Sequence, residues 1–433
     1  MSPSGIFMFD QSDSSDLSDQ KKTGEKSMAT IRAFRALRYA RLIPEVVAPP
    51  YDVIDADQRA QLASLSPHNI VHLTLPEGGE ERYQRAHKLL EHWLLEGVLQ
   101  PDPEPALYRY SQQFIDPLTG ATRTRTGYFV LLHTEPYERG IVLPHEHTFP
   151  GVKADRFRLL EATRTHLEAI FGLYEPTPAL QEALTGVLWE PIAHLEGDEL
   201  PEGRQHRLER LTNPVAVNRI ERAFAEARVW IADGHHRYET ALRFGQQYGQ
   251  DGSPERFLPI LLVPIDEPGL VILPTHRILA QLPPGAPDEW RARIEPAFEV
   301  QSVPADALPH QVLASDGEAV GFLWSEGAWL IRPRSLEAAP GMPEALTRLD
   351  AWWLHERLMP ALGYGTVDIR YTRSAQEATD AVRQGEGAAA FLLSPPSVAT
   401  LQQVAQAGGR MPHKSTYFYP KVLSGLIMWR IGQ

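Results

Sequence analysis

Arg228-Val-Trp-Ile-Ala-Asp-Gly-His-His-Arg-Tyr238 is the stretch on which the reading of this chain turns. Arg228–Asp233 is a short apolar strand, and a helical pattern takes over from about His236 to Tyr248. Gly234 stands between them. A strand that turns at one glycine into a helix presents unpaired backbone N–H groups at the positive end of the helix, a ready anion site. Gly234 lacks a Cβ, so an anion can approach the backbone closely. Arg237 adds a planar, permanently charged donor. His235 and His236 offer hydrogen bonds or metal ligation, and Asp233 could fix a histidine tautomer or hold Mg²⁺. The plainer alternative is a capped helix carrying two surface histidines.

Working outward, Phe257–Pro264 and Gly269–Leu273 are expected strands, and Ala154–Ile170 a long helix. Ala106–Phe114 and Thr126–His133 pair as strands across the Asp116–Gly120 turn. Ala86, Leu89, Leu90, Trp93 and Leu94 recur at helical spacing within a helix over Glu80–Glu96. Further upstream, Asp55–Leu65 is a short helix and Asn69–Leu75 a strand, while the prolines of Arg41–Ile54 impose an extended edge. Downstream, Leu282-Pro-Pro-Gly-Ala-Pro287 is the candidate domain boundary. Beyond it come a hairpin, Ala319–Trp324 with Ala328–Arg332, and a helix over Glu344–Met359. Strands at Asp368–Tyr371 and Ala388–Leu393 then alternate with helices at Ala375–Gln384 and Val398–Ala407.

Three other segments concentrate chemistry. Leu143-Pro-His-Glu-His147 places Glu146 between two histidines, as a general base or metal ligand, with His145 and His147 on one side if the segment is extended. Lys153 and Arg156 follow as phosphate contacts, although a polar loop before a helix accounts equally for the segment. Met411–Lys421 gathers Lys414, Ser415, Lys421 and three aromatics. It either contributes to a ligand site or packs as an irregular tail. Ala48-Pro-Pro-Tyr-Asp52 is a rigid turn, with Tyr51 and Asp52 as further candidate contacts.

The 433 residues exceed one ordinary core, so two domains are expected: 28–281 and an α+β domain over 282–433. Residues 1–27 look like a disordered leader without a secretory signal, with Met28 as an alternative initiator and the cytoplasm as the expected compartment. No apolar run is long enough to span a bilayer. Fifty-five Asp and Glu against 42 Lys and Arg give a net charge of −13, which argues against a nucleic-acid partner. The absence of cysteine removes thiolate catalysis and cysteine-ligated metal. P-loop, early G-x-G-x-x-G, H-E-x-x-H and G-x-S-x-G patterns are all missing. Oligomeric state is not legible.

Val47–Ile54, Leu143–Thr148, Gly151–Arg156, Ala232–Tyr238, Pro274-Thr-His-Arg277 and Met411–Lys421 together resemble the bacterial and archaeal family of domain of unknown function 1015. More distantly, Asp233–Arg237 resembles the phosphate-binding loop of the ParB/sulfiredoxin superfamily, whose members include free serine kinases. Those kinases carry a Pro-His-Glu segment ahead of a helix, similar to Pro144-His145-Glu146.

That resemblance implies an α+β protein with a ParB/sulfiredoxin-like α/β core, carrying insertions, in its N-terminal domain. It implies a phosphotransferase using ADP or ATP with Mg²⁺ on a small hydroxyl-bearing metabolite such as serine. Glu146, His236 and Asp233 would be catalytic. Gly234, His235, His236, Arg237, Lys153 and Arg156 would hold phosphate. The chain is longer than a minimal kinase of this type, and sulfiredoxin chemistry needs a cysteine where this chain has His235. Two rival expectations are a nucleotide-gated binding module of ParB type and a metal-dependent hydrolase using His145, His147, His235 and His236.

Overall fold

The computed structural model describes residues 29–225, 227–337, 342–412 and 414–433. The expected leader, Met28 and His413 therefore lie outside the described residues. The chain is a mixed α+β protein built on two large sheets. The nine-stranded sheet runs, edge to edge, Val142–Leu143, Val229–Asp233, Ile170–Tyr174, Phe257–Pro264, Thr122–His133, Leu107–Ile115, Gln205–Leu211 and Glu190–Glu196, with Ile31–Arg32 pairing onto Thr122–His133. Its central strand Phe257–Pro264 is apolar and buried almost throughout, as expected where both faces are covered. The Asp116–Gly120 hairpin forms as read, with Tyr108 opposite Phe129.

On one side of this sheet the helix Pro150–Thr163 packs against the helix His235–Tyr248, joined by Phe157 against Phe244 at 6.0 Å between ring centres. The first of these helices is shorter than the sequence suggested. Arg164 turns left-handed (φ 51°) and closes it, freeing Thr165–His166 and Ile170–Tyr174 to become strands. The second begins one residue earlier than read, at His235.

The six-stranded sheet is ordered Phe298–Ser302, Gly327–Pro333, Val320–Trp324, Ala389–Leu392, His276–Leu279, Ile369–Thr372. It takes His276–Leu279 from before the proline-rich stretch. After it, the chain returns to the nine-stranded side. Tyr417–Tyr419 pairs with Val271–Leu273, and Trp429–Arg430 with Thr165–His166. No helix of the described residues is long and apolar enough to cross a membrane.

Three further expectations are corrected. Asn69–Leu75 is not a strand: Val71–Thr74 is a helical turn, set by the Asn69 side chain accepting from Val71 N at 2.9 Å. The extended reading of Arg41–Ile54 gives way to two short 3₁₀ turns, Pro44–Val46 and Tyr51–Val53, because each follows a proline-compatible extended residue. The helix expected over Glu344–Met359 is broken into short pieces with a π turn at Leu354–Leu358.

Candidate functional site: a glycine-led helix start under the C-terminal segment

Gly234 adopts φ 93°, ψ 30°, the left-handed conformation that a strand needs to turn at once into a helix. A Cβ there would lie 2.8 Å from Ile170 Cγ2. No side chain caps this helix start, so its first N–H groups face the loop. Arg237 sits one turn in. Its Nη1 donates to Ala169 O at 2.8 Å and its Nη2 to Asp233 Oδ2 at 3.0 Å. Its Nε is buried and has no partner among the described residues. Burial works against the Arg237 charge, but the carboxylates of Glu168, Asp233 and Asp52 outweigh it and keep the guanidinium ionised.

Asp233 is held on its other oxygen by Lys421 Nζ at 2.5 Å. Burial would raise its carboxyl, yet Lys421 and Arg237 hold it below the usual carboxylate range. Both oxygens already carry cations, so a Mg²⁺ at Asp233 would compete electrostatically with Arg237 and Lys421.

Across the helix start lies Pro144–His147. His145 is fully buried, with Nδ1 2.8 Å from Ile231 O. A carbonyl only accepts, so the proton is assigned to Nδ1, and Nε2 accepts from the Thr416 hydroxyl at 2.9 Å. His235 Nε2 accepts from His145 N–H at 3.3 Å, which puts the His235 proton on Nδ1, 3.9 Å from Glu146 Oε2. The two rings meet edge to face with centres 4.7 Å apart. Burial pushes His145 down to about 4 and, with His145 beside it, His235 well below the ordinary histidine value. The pair is neutral at physiological pH. Burial raises the Glu146 carboxyl, partly offset by the Lys414 N–H that donates to Oε1 at 3.1 Å. His236 Nε2 accepts from Phe149 N–H at 2.9 Å, and burial lowers it too.

The structure thus brings Asp233, Gly234, His235, Arg237, His145, Glu146 and Lys421 together. Tyr51 joins from below. Its ring lies between Arg156 (4.2 Å) and Arg237 (5.9 Å), and its N–H donates to Glu168 Oε1 at 3.0 Å.

Other sequence candidates around these residues have partners of their own. Lys153 Nζ pairs with Glu239 Oε2 at 2.7 Å, tying the two packed helices together. Arg156 donates to Thr74 O at 2.7 Å and to Asp155. Ser415 donates to Pro412 O, and Lys414 contributes its backbone while its side chain is exposed. His147 and Asp52 are exposed. Among the described residues no three His, Asp or Glu side chains gather to hold a metal ion.

Several partners were missed by sequence reasoning. Glu168 accepts from Tyr51 N–H and from the Ser424 hydroxyl at 2.7 Å. Thr416 lay inside the quoted C-terminal segment without being singled out. Gln112 and Glu202 lie on distant strands and loops, and only the return of the C-terminal segment brings them near.

The family model described as "Protein of unknown function (DUF1015)" matches residues 31–352. No curated protein matches the chain. Among solved structures, a mutant of free serine kinase in complex with AMP aligns at 13% identity, covering 67% of this chain and 86% of its own, with a TM-score of 0.37. A conserved hypothetical protein from Pyrococcus furiosus aligns at 14%, covering 68% and 92%, with a TM-score of 0.35. SbnI with a C-terminal truncation, from Staphylococcus aureus, aligns at 10%, covering 66% and 84%, with a TM-score of 0.34.

Proposed function

The chain belongs to the DUF1015 family, and we propose that it is a nucleotide-dependent phosphotransferase acting on a small hydroxyl compound, with ADP or ATP as donor and serine or a serine-like molecule as the leading acceptor. On this reading the N-terminal half is a ParB/sulfiredoxin-like core, residues 28–281 form the catalytic domain, and 282–433 a second α+β domain. The observation that carries the proposal is the uncapped helix start at Gly234 with Arg237 Nε buried and unpartnered beside it. Gly234 is required there, because a Cβ would meet Ile170 at 2.8 Å and Arg237 Nε at 3.1 Å. The groups at this helix start are N–H donors and a guanidinium, the chemistry that phosphate oxygens require.

On this reading each group has a role. Backbone N–H groups of the first helical turn and the Arg237 guanidinium hold the donor's phosphates and neutralise charge that develops on the leaving oxygen. Glu146, with its carboxyl raised by burial, takes the acceptor's hydroxyl proton as that oxygen bonds to phosphorus and the bond to the donor oxygen breaks. Neutral His235, 3.9 Å from Glu146, braces the transferred group together with His236. A divalent cation bound with the nucleotide would supply further neutralisation.

Calorimetry with ADP, ATP and CTP, with and without Mg²⁺, followed by a phosphotransfer assay over free amino acids and small alcohols, tests this. Glu146→Gln should keep nucleotide affinity and lose turnover. A wild-type protein with no nucleotide affinity in either condition removes the proposal.

A further inference from the structure

Within the reading of Asp233–Arg237 as a phosphate site, the loop's own charges do not favour an anion. Asp233, Glu168 and Asp52 are three carboxylates that act electrostatically on the Arg237 guanidinium. Among the described residues Glu168 is hydrogen-bonded to neutral groups, the Tyr51 N–H and the Ser424 hydroxyl. Cations that offset these carboxylates decide whether the helix start attracts phosphate, and Lys421, from outside the loop, is bonded directly to the loop's own Asp233. Its Nζ lies 2.5 Å from Asp233 Oδ1 and over the Tyr417 ring at 4.3 Å, in a residue only 5% exposed.

The backbone of Lys421 is held from both sides. Glu202 Oε2 accepts from its N–H at 2.6 Å, and its carbonyl accepts from Gln112 Nε2 at 2.9 Å. The Gln112 amide is oriented in turn by Arg125, fully buried in the sheet, whose Nη2 donates to Gln112 Oε1 at 2.5 Å. Long ammonium side chains seldom hold one place without such anchoring, because ordering them costs entropy.

We propose that Lys421 is an obligatory phosphate-contacting cation of this site, and that Gln112, oriented by Arg125, and Glu202 are its positioning residues. Lys421 lies outside the 31–352 span that the family model matches. The site is therefore assembled from that span and from a segment beyond it.

The test measures dissociation constants for AMP, ADP and inorganic pyrophosphate on the full chain, with thermal melting as the control for folding. Lys421→Met should weaken ADP and pyrophosphate about ten- to a hundredfold, as expected for a lost charged contact, and AMP by less. Lys421→Arg should recover part of that loss. Gln112→Glu keeps an acceptor for Arg125 but removes the donor to both Lys421 O and Glu202 O, so, in a variant that melting shows to be folded, it should reproduce the same ligand order. Unchanged ADP affinity in folded Lys421→Met, or an equal loss for all three ligands, overturns the inference. If Lys421→Met does not fold, Gln112→Glu decides by the same criterion. A wild-type protein that binds none of the three removes the phosphate-site reading, and this inference with it.

Discussion

Gly234 shows how much one residue decides. Its φ of 93° is one that a residue with a side chain enters only at a cost, and Ile170 occupies the space where a Cβ would go. Gly234→Ala should cost about 1–3 kcal/mol of stability and should move the helix start enough to abolish anion binding. Urea melts read the first effect and calorimetry with ADP the second; an alanine variant as stable as wild type contradicts the strain described above. The residue types of this loop were legible in the sequence because a glycine between an apolar strand and a helix has few other uses. Lys153 has a partner that the sequence does not show. A lysine's charge is visible in sequence, but Glu239, on the neighbouring helix, claims it in the fold.

Among the elements, legibility followed periodicity. The helix read over Glu80–Glu96 and the helix after Gly234 repeat their apolar residues on one face, and both form within two residues of expectation. Asn69–Leu75 failed the same test. Its β-branched composition favours a strand, but the Asn69 side chain and the buried Val71, Leu73 and Thr74 fold it into a helical turn. The helix Ala56–Leu65 carries a full capping box: Asp55 accepts from Gln58 N at 2.8 Å, and Gln58 Oε1 accepts from Asp55 N at 3.1 Å. Asp55→Ala should therefore cost about 1 kcal/mol, seen as a lower urea midpoint with an unchanged slope. At the junction of the two packed helices, Glu239 accepts from both Lys153 and the Thr148 hydroxyl at 2.7 Å. Glu239→Ala should loosen this end, measurable as faster amide exchange in Pro150–Thr163 than in wild type. Equal exchange would mean that the other contacts of the pair, Phe157 with Phe244, Tyr248 and Arg243 among them, hold it.

At the scale of the molecule, burial has lowered the pKa of seven histidines among the described residues: His145, His206 and His355 to about 4, His166 and His276 to about 3, and His235 and His236 in the same direction. Each takes up a proton in the unfolded chain near 6.5 but not in the folded one, so each subtracts stability as pH falls from about 6.5 toward 4. The Asp350 carboxyl, raised by burial to about 6, and those of Glu146, Glu202 and Glu267, also raised by burial, act in the opposite sense. Seven groups against four leave a net loss of stability on acidification, at most about 1.4 kcal/mol per pH unit for each histidine. Urea midpoints should fall between pH 7 and pH 5; a flat or rising series would contradict the burial described. None of this was readable from the sequence, since a histidine's enclosure depends on contacts made by distant segments. The same distance governs how the protein is made. Lys421 is translated 188 residues after Asp233, a delay of roughly 10–40 s at ordinary ribosome speeds. During that interval the nascent chain carries Asp233 without its ammonium partner. If Lys421 is the phosphate-contacting cation proposed above, a chain released before it would carry the strand, glycine and helix sequences without that charge, so partial translation products should not compete for nucleotide.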